Sequence, residues 1–108
     1  MKTRLDALYE DTLLFDFYGP LLTEHQRELY EEVVLSDYSL QEIANEHGIS
    51  RQGVHDLIRR TKAILKEYED KLGLVGKFLL IREKTDQIRE YTEDEKIRRL
   101  AEEILENL

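Results

Sequence analysis

The stretch "SLQEIANEHGISRQGVHDLIRR", residues 39–60, has the pattern of two helices joined by a short turn. Ser39, with Glu42 three positions later, is a capping-box pattern that starts the first helix. Gly48 can take the positive φ of a tight turn, and Ser50 is placed to cap the second helix. The stretch therefore predicts a helix-turn-helix. Its small core is expected from apolar residues of both helices and the turn: Leu40, Ile43, Ala44, Ile49, Val54 and Leu57.

The second helix of the motif carries the residues that we expect to meet nucleic acid. In such a unit the start and outer face of this helix reach base edges, where arginine can contact guanine and glutamine can contact adenine. The apolar stripe of this helix is predicted to consist of Val54, Leu57, Ile58, Thr61, Ile64, Leu65, Tyr68 and Leu72. Five side chains lie outside that stripe, within about 80° of each other on a wheel of 3.6 residues per turn: Arg51, His55, Arg59, Lys62 and Lys66. The predicted base contacts are Arg51, Gln52, His55 and Arg59, and the predicted phosphate contacts are Ser50, Arg60, Lys62 and Lys66. Asp56 lies beside this face, where it would repel phosphate but can accept a hydrogen bond from cytosine.

The charge of the chain is unevenly distributed. The 108 residues carry a formal net charge of -8, yet residues 51–72 hold six basic and four acidic side chains. Residues 23–50 hold one basic and seven acidic side chains. A positive strip on an acidic protein can bind phosphate, but weakly and with strong salt dependence. A charged outer helix face is often only solvated, so the turn motif is what favours nucleic acid here.

The remaining sequence predicts an all-α fold of five to six helices. Glycine and proline are scarce, and 37% of the residues are charged, which is typical of solvated helices. We expect a first helix over about 5–18, after which Gly19 permits a C-terminal cap and Pro20 prevents continuation. Capping-box patterns of Thr23 with Gln26 and of Thr92 with Glu95 predict the starts of the second and the last helix.

The predicted organisation is a single helical domain, residues 1–108. The helix-turn-helix lies within a unit of about 22–68, and residues 73–108 form a helical tail. Three apolar stripes outside the motif are expected to face inward: Leu5, Leu8, Thr12 and Phe15 in the first helix, widened by Leu13 and Phe17; Leu74, Phe78, Ile81 and Ile88 in the fifth; and Ile97, Leu100, Ala101, Ile104, Leu105 and Leu108 in the last. The recognition helix continues to about Leu72, longer than the motif needs, and with the amphipathic last helix it offers apolar surface beyond one small core. We therefore expect a homodimer, whose two-fold symmetry would suit paired half-sites.

Several classes of protein are not expected. The chain has no cysteine, so disulfides and thiolate metal sites are excluded. His25, His47 and His55 lie on different predicted elements without a metal-ligand spacing, so we expect surface histidines and no metal site. No phosphate loop, nucleophile elbow or catalytic triad occurs, so neither an enzyme nor a cofactor is expected. No apolar run is long enough for a signal peptide or a membrane span, which predicts a cytoplasmic protein.

The segment Leu22 to Tyr68 resembles region 4 of bacterial sigma factors, which opens with "LT..QR" and continues as "S..EIA...G.S...V...I.R". In that family the helix-turn-helix reads a promoter element. Residues 12–80 are more similar to the YlxM-like helix-turn-helix proteins of Gram-positive bacteria. They share "LFDFY..LLT..Q" from Leu14, "DYSL.EIA" from Asp37, "SRQ.V.D.I.RT" from Ser50 and "YE.KL" from Tyr68.

The YlxM resemblance implies a regulatory protein linked to the signal recognition particle pathway. It implies binding of nucleic acid, with DNA as the expected ligand and RNA as an alternative. The same resemblance leaves open an adaptor that binds the GTPase or the RNA of the targeting particle without binding DNA. Gly53 and His55 stand where the resemblance leads us to expect alanine and tyrosine, and Gly53 weakens the recognition helix by about 1 kcal/mol relative to alanine.

Overall fold

The computed structural model describes residues 4–36 and 38–108, and describes side chains from residue 8 onward, except at residue 37. These residues form six α-helices and no strand, which confirms the all-α prediction. The helices are α1 (Arg4–Tyr18), α2 (Glu24–Tyr30), α3 (Leu40–His47), α4 (Arg51–Leu72), α5 (Leu74–Tyr91) and α6 (Glu95–Glu106). A 3-10 turn, Gly19–Leu21, follows α1, and a π-helical segment, Glu31–Leu35, follows α2. The predicted inward position of Leu5 and the motif position Asp37 lie outside the described side chains.

The chain divides into two compact units, Met1–Leu72 and Gly73–Leu108. In the first unit, α1, α2 and α3 each pack against α4. Seven side chains are almost fully buried and form its core: Tyr18, Leu29, Tyr30, Ile43, Val54, Thr61 and Leu65. Val54, Thr61 and Leu65 all come from the predicted stripe of α4, so that stripe is the surface on which the other helices assemble. The expectation of a single domain remains a prediction.

Aromatic contacts join α1 to the rest of the first unit. The rings of Phe15 and Tyr30 stack with centroids 5.0 Å apart, and the Tyr18 hydroxyl donates a hydrogen bond of 2.5 Å to Glu69 Oε1 on α4. Burial raises the pKa of the Tyr30 phenol, and the negative charge of Asp11 raises it further. The Tyr30 hydroxyl donates to the Asp11 carbonyl oxygen, 3.3 Å away, so its neutral form is held in place.

The predicted stripe of α1 is only partly correct. Leu13 and Phe15 are buried as expected, but Leu8 is 45% exposed, and Tyr18, which lay outside the predicted stripe, is also buried. Among the described side chains of α1, the buried ones therefore lie in its second half, from Leu13 to Tyr18.

Gly19 follows α1 but does not form the predicted glycine C-terminal cap. Gly19 does not take a positive φ. A Cβ at this position would lie 3.3 Å from the Phe15 ring, so Gly19 allows close packing, and Pro20 follows it within the 3-10 turn.

Two helix starts in the first unit follow the predicted caps. Thr23 and Gln26 form the capping box, with reciprocal hydrogen bonds of 3.0 and 3.2 Å between side chain and backbone. Ser39 Oγ accepts a hydrogen bond of 3.1 Å from the Glu42 N–H. These bonds satisfy backbone donors that a helix start would otherwise leave unpaired.

The second unit is a helical hairpin in which α5 and α6 pack against each other. Asp94, not the predicted Thr92, caps α6, because its carboxylate accepts from the N–H groups of Lys96 and Ile97 at 2.8 and 3.3 Å. Thr92 Oγ1 instead accepts from the Asp94 N–H at 3.1 Å. Thr92 therefore stabilises the turn that precedes the cap, and the third capping box is not formed.

Most of the predicted inward stripes of α5 and α6 are exposed. The buried side chains of this unit are Val75, Thr85 and Ala101, of which only Ala101 was predicted. The exposed members of the two stripes are Leu74, Ile81, Ile88, Ile97, Leu100, Ile104 and Leu108. Two helices bury only the narrow strip along their line of contact, so a 36-residue hairpin leaves much apolar surface uncovered.

Candidate nucleic-acid interface

A glycine turn fixes the angle between α3 and α4. Gly48 has φ 66° and ψ 30°, and its N–H donates to the Asn45 carbonyl oxygen at 3.3 Å. The Ile49 N–H donates to the Ala44 carbonyl oxygen at 3.0 Å. This pair of bonds is a Schellman motif, which reverses the chain after one left-handed residue. The predicted role of Gly48 is thus confirmed.

Ser50 begins the recognition helix as predicted. Its Oγ accepts a hydrogen bond of 3.0 Å from the Gly53 N–H. One turn later, Val54 is fully buried and Ile58 is 8% exposed. Because these two residues fix the inner side of the helix, the opposite side of its first two turns faces solvent.

The predicted base-contacting side chains lie beside the buried side of the helix and are accessible to solvent. Arg51, Gln52, His55 and Arg59 are all exposed, and 76% of the Arg59 side chain is accessible. Burial of Arg51 and Arg59 would have ruled out a basic contact face. Both arginines are exposed, so the basic face of α4 remains accessible to a ligand.

Asp56 is held in a small polar network on this surface. Its Oδ1 accepts a hydrogen bond of 3.1 Å from Gln52 Nε2 and lies 3.6 Å from Arg59 Nη2. The carboxylate therefore partly neutralises one neighbouring arginine and orients a predicted adenine-reading amide. A ligand that engages Gln52 or Arg59 must compete with these contacts.

The predicted phosphate contacts do not form one continuous strip. Lys62 Nζ lies 3.3 Å from Asp11 Oδ2 of α1, and 46% of the Lys62 side chain remains exposed. Lys66 is exposed on the same side of α4, whereas Arg60 is exposed about 100° around the helix from Arg59. Lys62 thus forms an ion pair with α1, through an acidic partner that the sequence did not reveal.

A second polar cluster lies on the other side of the turn, where no site was predicted. His47, at the end of α3, has its Nε2 2.8 Å from Glu32 Oε2 in the π-helical segment. The ring of His25 in α2 lies against His47, with centroids 5.6 Å apart and an edge-on arrangement. The three residues are far apart in sequence and have no motif spacing, so only the packing of α2 against the motif reveals their proximity.

Comparisons with known proteins agree with this architecture. A family model described as "Putative helix-turn-helix protein, YlxM / p13 like" matches residues 5–105. The chain belongs to this UPF0122 family. The match covers both units and confirms the resemblance drawn from the sequence.

Curated relatives carry the same family name. A UPF0122 protein of Symbiobacterium thermophilum is 62% identical over 64 residues, which span 59% of this chain and 60% of the relative. A UPF0122 protein of Thermoanaerobacter sp. is 47% identical over 100 residues, 86% of each chain. A third, from Halalkalibacterium halodurans, is 49% identical over 86 residues, 80% of this chain and 79% of the relative. None of the described helices of the UPF0122 chain has the length and apolarity needed to cross a membrane.

Proposed function

We propose that this chain is a regulatory protein that binds nucleic acid through the outer face of α4, with DNA as the preferred ligand. The observation that carries the proposal is the exposure of Arg51, His55 and Arg59 immediately after the helix-turn-helix turn, on the face of α4 beside the buried stripe. A helix presented in this way can enter the major groove end first. The described geometry supports a binding protein and not an enzyme.

The roles of the side chains follow their positions. Arg51, Gln52, His55 and Arg59 occupy the start and outer face of α4 and are assigned to base edges. Ser50, Arg60, Lys62 and Lys66 flank them and are assigned to phosphates, which fix the register of the protein on its ligand. Asp56 orients the side chains of Gln52 and Arg59 and can accept a hydrogen bond from a cytosine amino group.

Acidic residues set the expected salt dependence. The segment 23–50 has a net excess of six acidic side chains, and it includes α2 and α3, which flank the recognition helix. Repulsion between these groups and phosphate lowers non-specific affinity. Binding should therefore depend strongly on salt and on the few contacts that α4 makes.

A charge-matched comparison tests the proposal. Binding to genomic DNA fragments and to targeting-particle RNA is measured at about 50 and about 150 mM salt for the wild type and for Arg51→Ala/Arg59→Ala. The control, Arg27→Ala/Lys71→Ala, removes two exposed cations outside the face. We expect the first variant to lose at least about tenfold in affinity, since each lost contact costs roughly 1–3 kcal/mol, and the control to lose much less.

The two ligands separate the finer assignments. Tighter binding of DNA supports the proposal as stated, whereas preference for RNA keeps the α4 face and changes its ligand. Equal losses in both variants would show that net charge alone drives binding and would contradict the assigned residues. Absence of binding to either nucleic acid would contradict the function itself.

A second candidate function is an adaptor in protein targeting. The acidic segment 23–50 favours it, because such a surface suits a basic protein partner such as the GTPase of the signal recognition particle. The same measurements are made with the GTPase of the targeting particle. GTPase binding that is unchanged in Arg51→Ala/Arg59→Ala, together with no binding of DNA, supports the adaptor. A link to the targeting pathway and a cytoplasmic location are parts of both proposals.

We also propose that the chain is a homodimer formed through the α5–α6 hairpin. The exposed apolar side chains of this hairpin, which include Leu100 at 59% and Ile104 at 46% exposure, would be covered by the same face of a second copy. A symmetric dimer would present two α4 faces, which is the arrangement that paired half-sites require.

A further inference from the structure

Three potential metal ligands converge beside the helix-turn-helix turn. Glu32 comes from the π-helical segment, and Glu46 and His47 come from the last turn of α3. One donor atom of each residue lies within 4.8 Å of the others. The closest pair, His47 Nε2 and Glu32 Oε2, is 2.8 Å apart.

The chemistry of these donors selects a class of ion. One imidazole with two carboxylates suits zinc and neighbouring divalent transition metals, whereas magnesium and calcium prefer oxygen donors alone. We propose that Glu32, Glu46 and His47 bind a divalent transition-metal ion of the zinc class. The site lies outside the basic face of α4 and does not depend on the proposed function.

The geometry requires only a small local adjustment. Bond lengths of about 2.0–2.2 Å place the donors of a tetrahedral zinc ion roughly 3.4 Å apart. Glu46 is exposed and can change rotamer to close the remaining distance. At the contact with Glu32, the ion replaces the hydrogen bond between the two side chains, and the ligating imidazole is neutral.

Two features distinguish this cluster from ordinary surface carboxylates. The side chains of His47 and Glu32 are only 13% and 22% exposed, so packing already fixes them near each other. His25 places a second imidazole in ring contact with His47, and imidazole is a donor type that zinc favours. A mixed histidine and carboxylate set at a half-buried position is a common environment for zinc.

Metal binding would join two elements of the first unit. Glu32 lies in the segment that follows α2, and His47 immediately precedes Gly48 of the turn. An ion held by both elements cross-links them in the folded state only. It therefore stabilises the orientation of α3 on which the start of α4 depends.

The experiment uses the full chain without a histidine tag. Zinc chloride is titrated into the metal-free protein by calorimetry, and the Tm is measured with and without excess zinc. The variants are His47→Gln and Glu46→Gln, and the matched controls are His55→Gln and Glu42→Gln, which lie outside the cluster. Glu46 and Glu42 are both exposed in α3, so their substitution preserves the fold even if His47→Gln does not.

We expect one zinc ion per chain and a rise in Tm of about 5 °C at saturation. Glu46→Gln and His47→Gln should each lower the affinity at least tenfold, while both controls retain it and a large excess of magnesium does not compete. The proposal is overturned if zinc binds without one-to-one saturation. It is equally overturned if Glu46→Gln binds as tightly as Glu42→Gln, or if His55→Gln loses as much affinity as His47→Gln.

Discussion

The buried phenol of Tyr30 makes the stability of the first unit depend on pH. Its hydroxyl is sequestered beside Asp11, and burial favours the neutral phenol. Because the pKa is raised in the folded state, the unfolded chain releases this proton first as pH increases. The stabilisation is therefore complete below the unfolded pKa of about 10 and is lost above it.

We expect the free energy of unfolding to fall above pH ~10 by about 1.4 kcal/mol per pH unit from this group. Urea unfolding of the wild type and of Tyr30→Phe between about pH 8 and 11, the range in which a phenol begins to titrate, measures the difference. Tyr91→Phe is the control, because Tyr91 is 76% exposed. Identical slopes for the wild type and Tyr30→Phe would contradict this role.

Residue-level predictions succeeded where a local rule fixes the outcome. Gly48 takes a positive φ because the Schellman turn requires it, and Ser50 and Thr23 cap helices because their oxygens reach the next backbone donors. Gly19 differs, since packing against Phe15 decides its place. The contact of His47 with Glu32 was not predictable, because it depends on the packing of distant segments.

At the scale of the element, α6 shows how neighbouring polar residues compete to begin a helix. Asp94 accepts from the N–H groups of both Lys96 and Ile97, and a carboxylate at a helix N-terminus also interacts favourably with the helix dipole. Thr92 lies two residues earlier and can reach only the Asp94 N–H. The sequence pattern of Thr92 with Glu95 did not distinguish these two starts.

We expect Asp94→Ala to destabilise the start of α6 by about 1 kcal/mol. Amide hydrogen exchange at Lys96 and Ile97 should accelerate, because their acceptor is removed. Thr92→Ala, as the comparison, should leave exchange at Ile97 nearly unchanged. Faster exchange at Ile97 in Thr92→Ala than in Asp94→Ala would contradict the assignment of the cap.

The apolar stripe predicted the environment of α4 better than that of the tail. Val54, Thr61 and Leu65 are buried because three other helices cover one side of α4. In α6 the same periodicity places Leu100 and Ile104 in solvent. A stripe indicates which side of a helix would be buried, but not whether the monomer supplies a partner.

At the scale of the whole molecule, the two units differ in how well they enclose apolar groups. The first unit has a core of large buried side chains, whereas the second unit buries Val75, Thr85 and Ala101 and exposes most of its leucine and isoleucine. Large exposed apolar surfaces on a small domain are typical of interaction sites. The homodimer proposed above would give the second unit the covering it lacks.

Analytical ultracentrifugation tests that assembly. We expect the wild type to sediment as a dimer at micromolar concentration and Leu100→Glu/Ile104→Glu to sediment as a monomer, because two charges would be buried at the interface. Glu103→Ala, an exposed substitution on the same helix, should remain dimeric. A monomeric wild type would exclude the dimer, and a dimeric double variant would exclude this face.

The uninterrupted length of α4 has a mechanical consequence. Its 22 residues span about 33 Å at a rise of 1.5 Å per residue. A tilt of about 5° at the first turn would move the far end by roughly 3 Å, given that rise. Such a lever would convert a slight reorientation on a bound ligand into a measurable displacement of Leu72, the point at which the chain leaves the first unit.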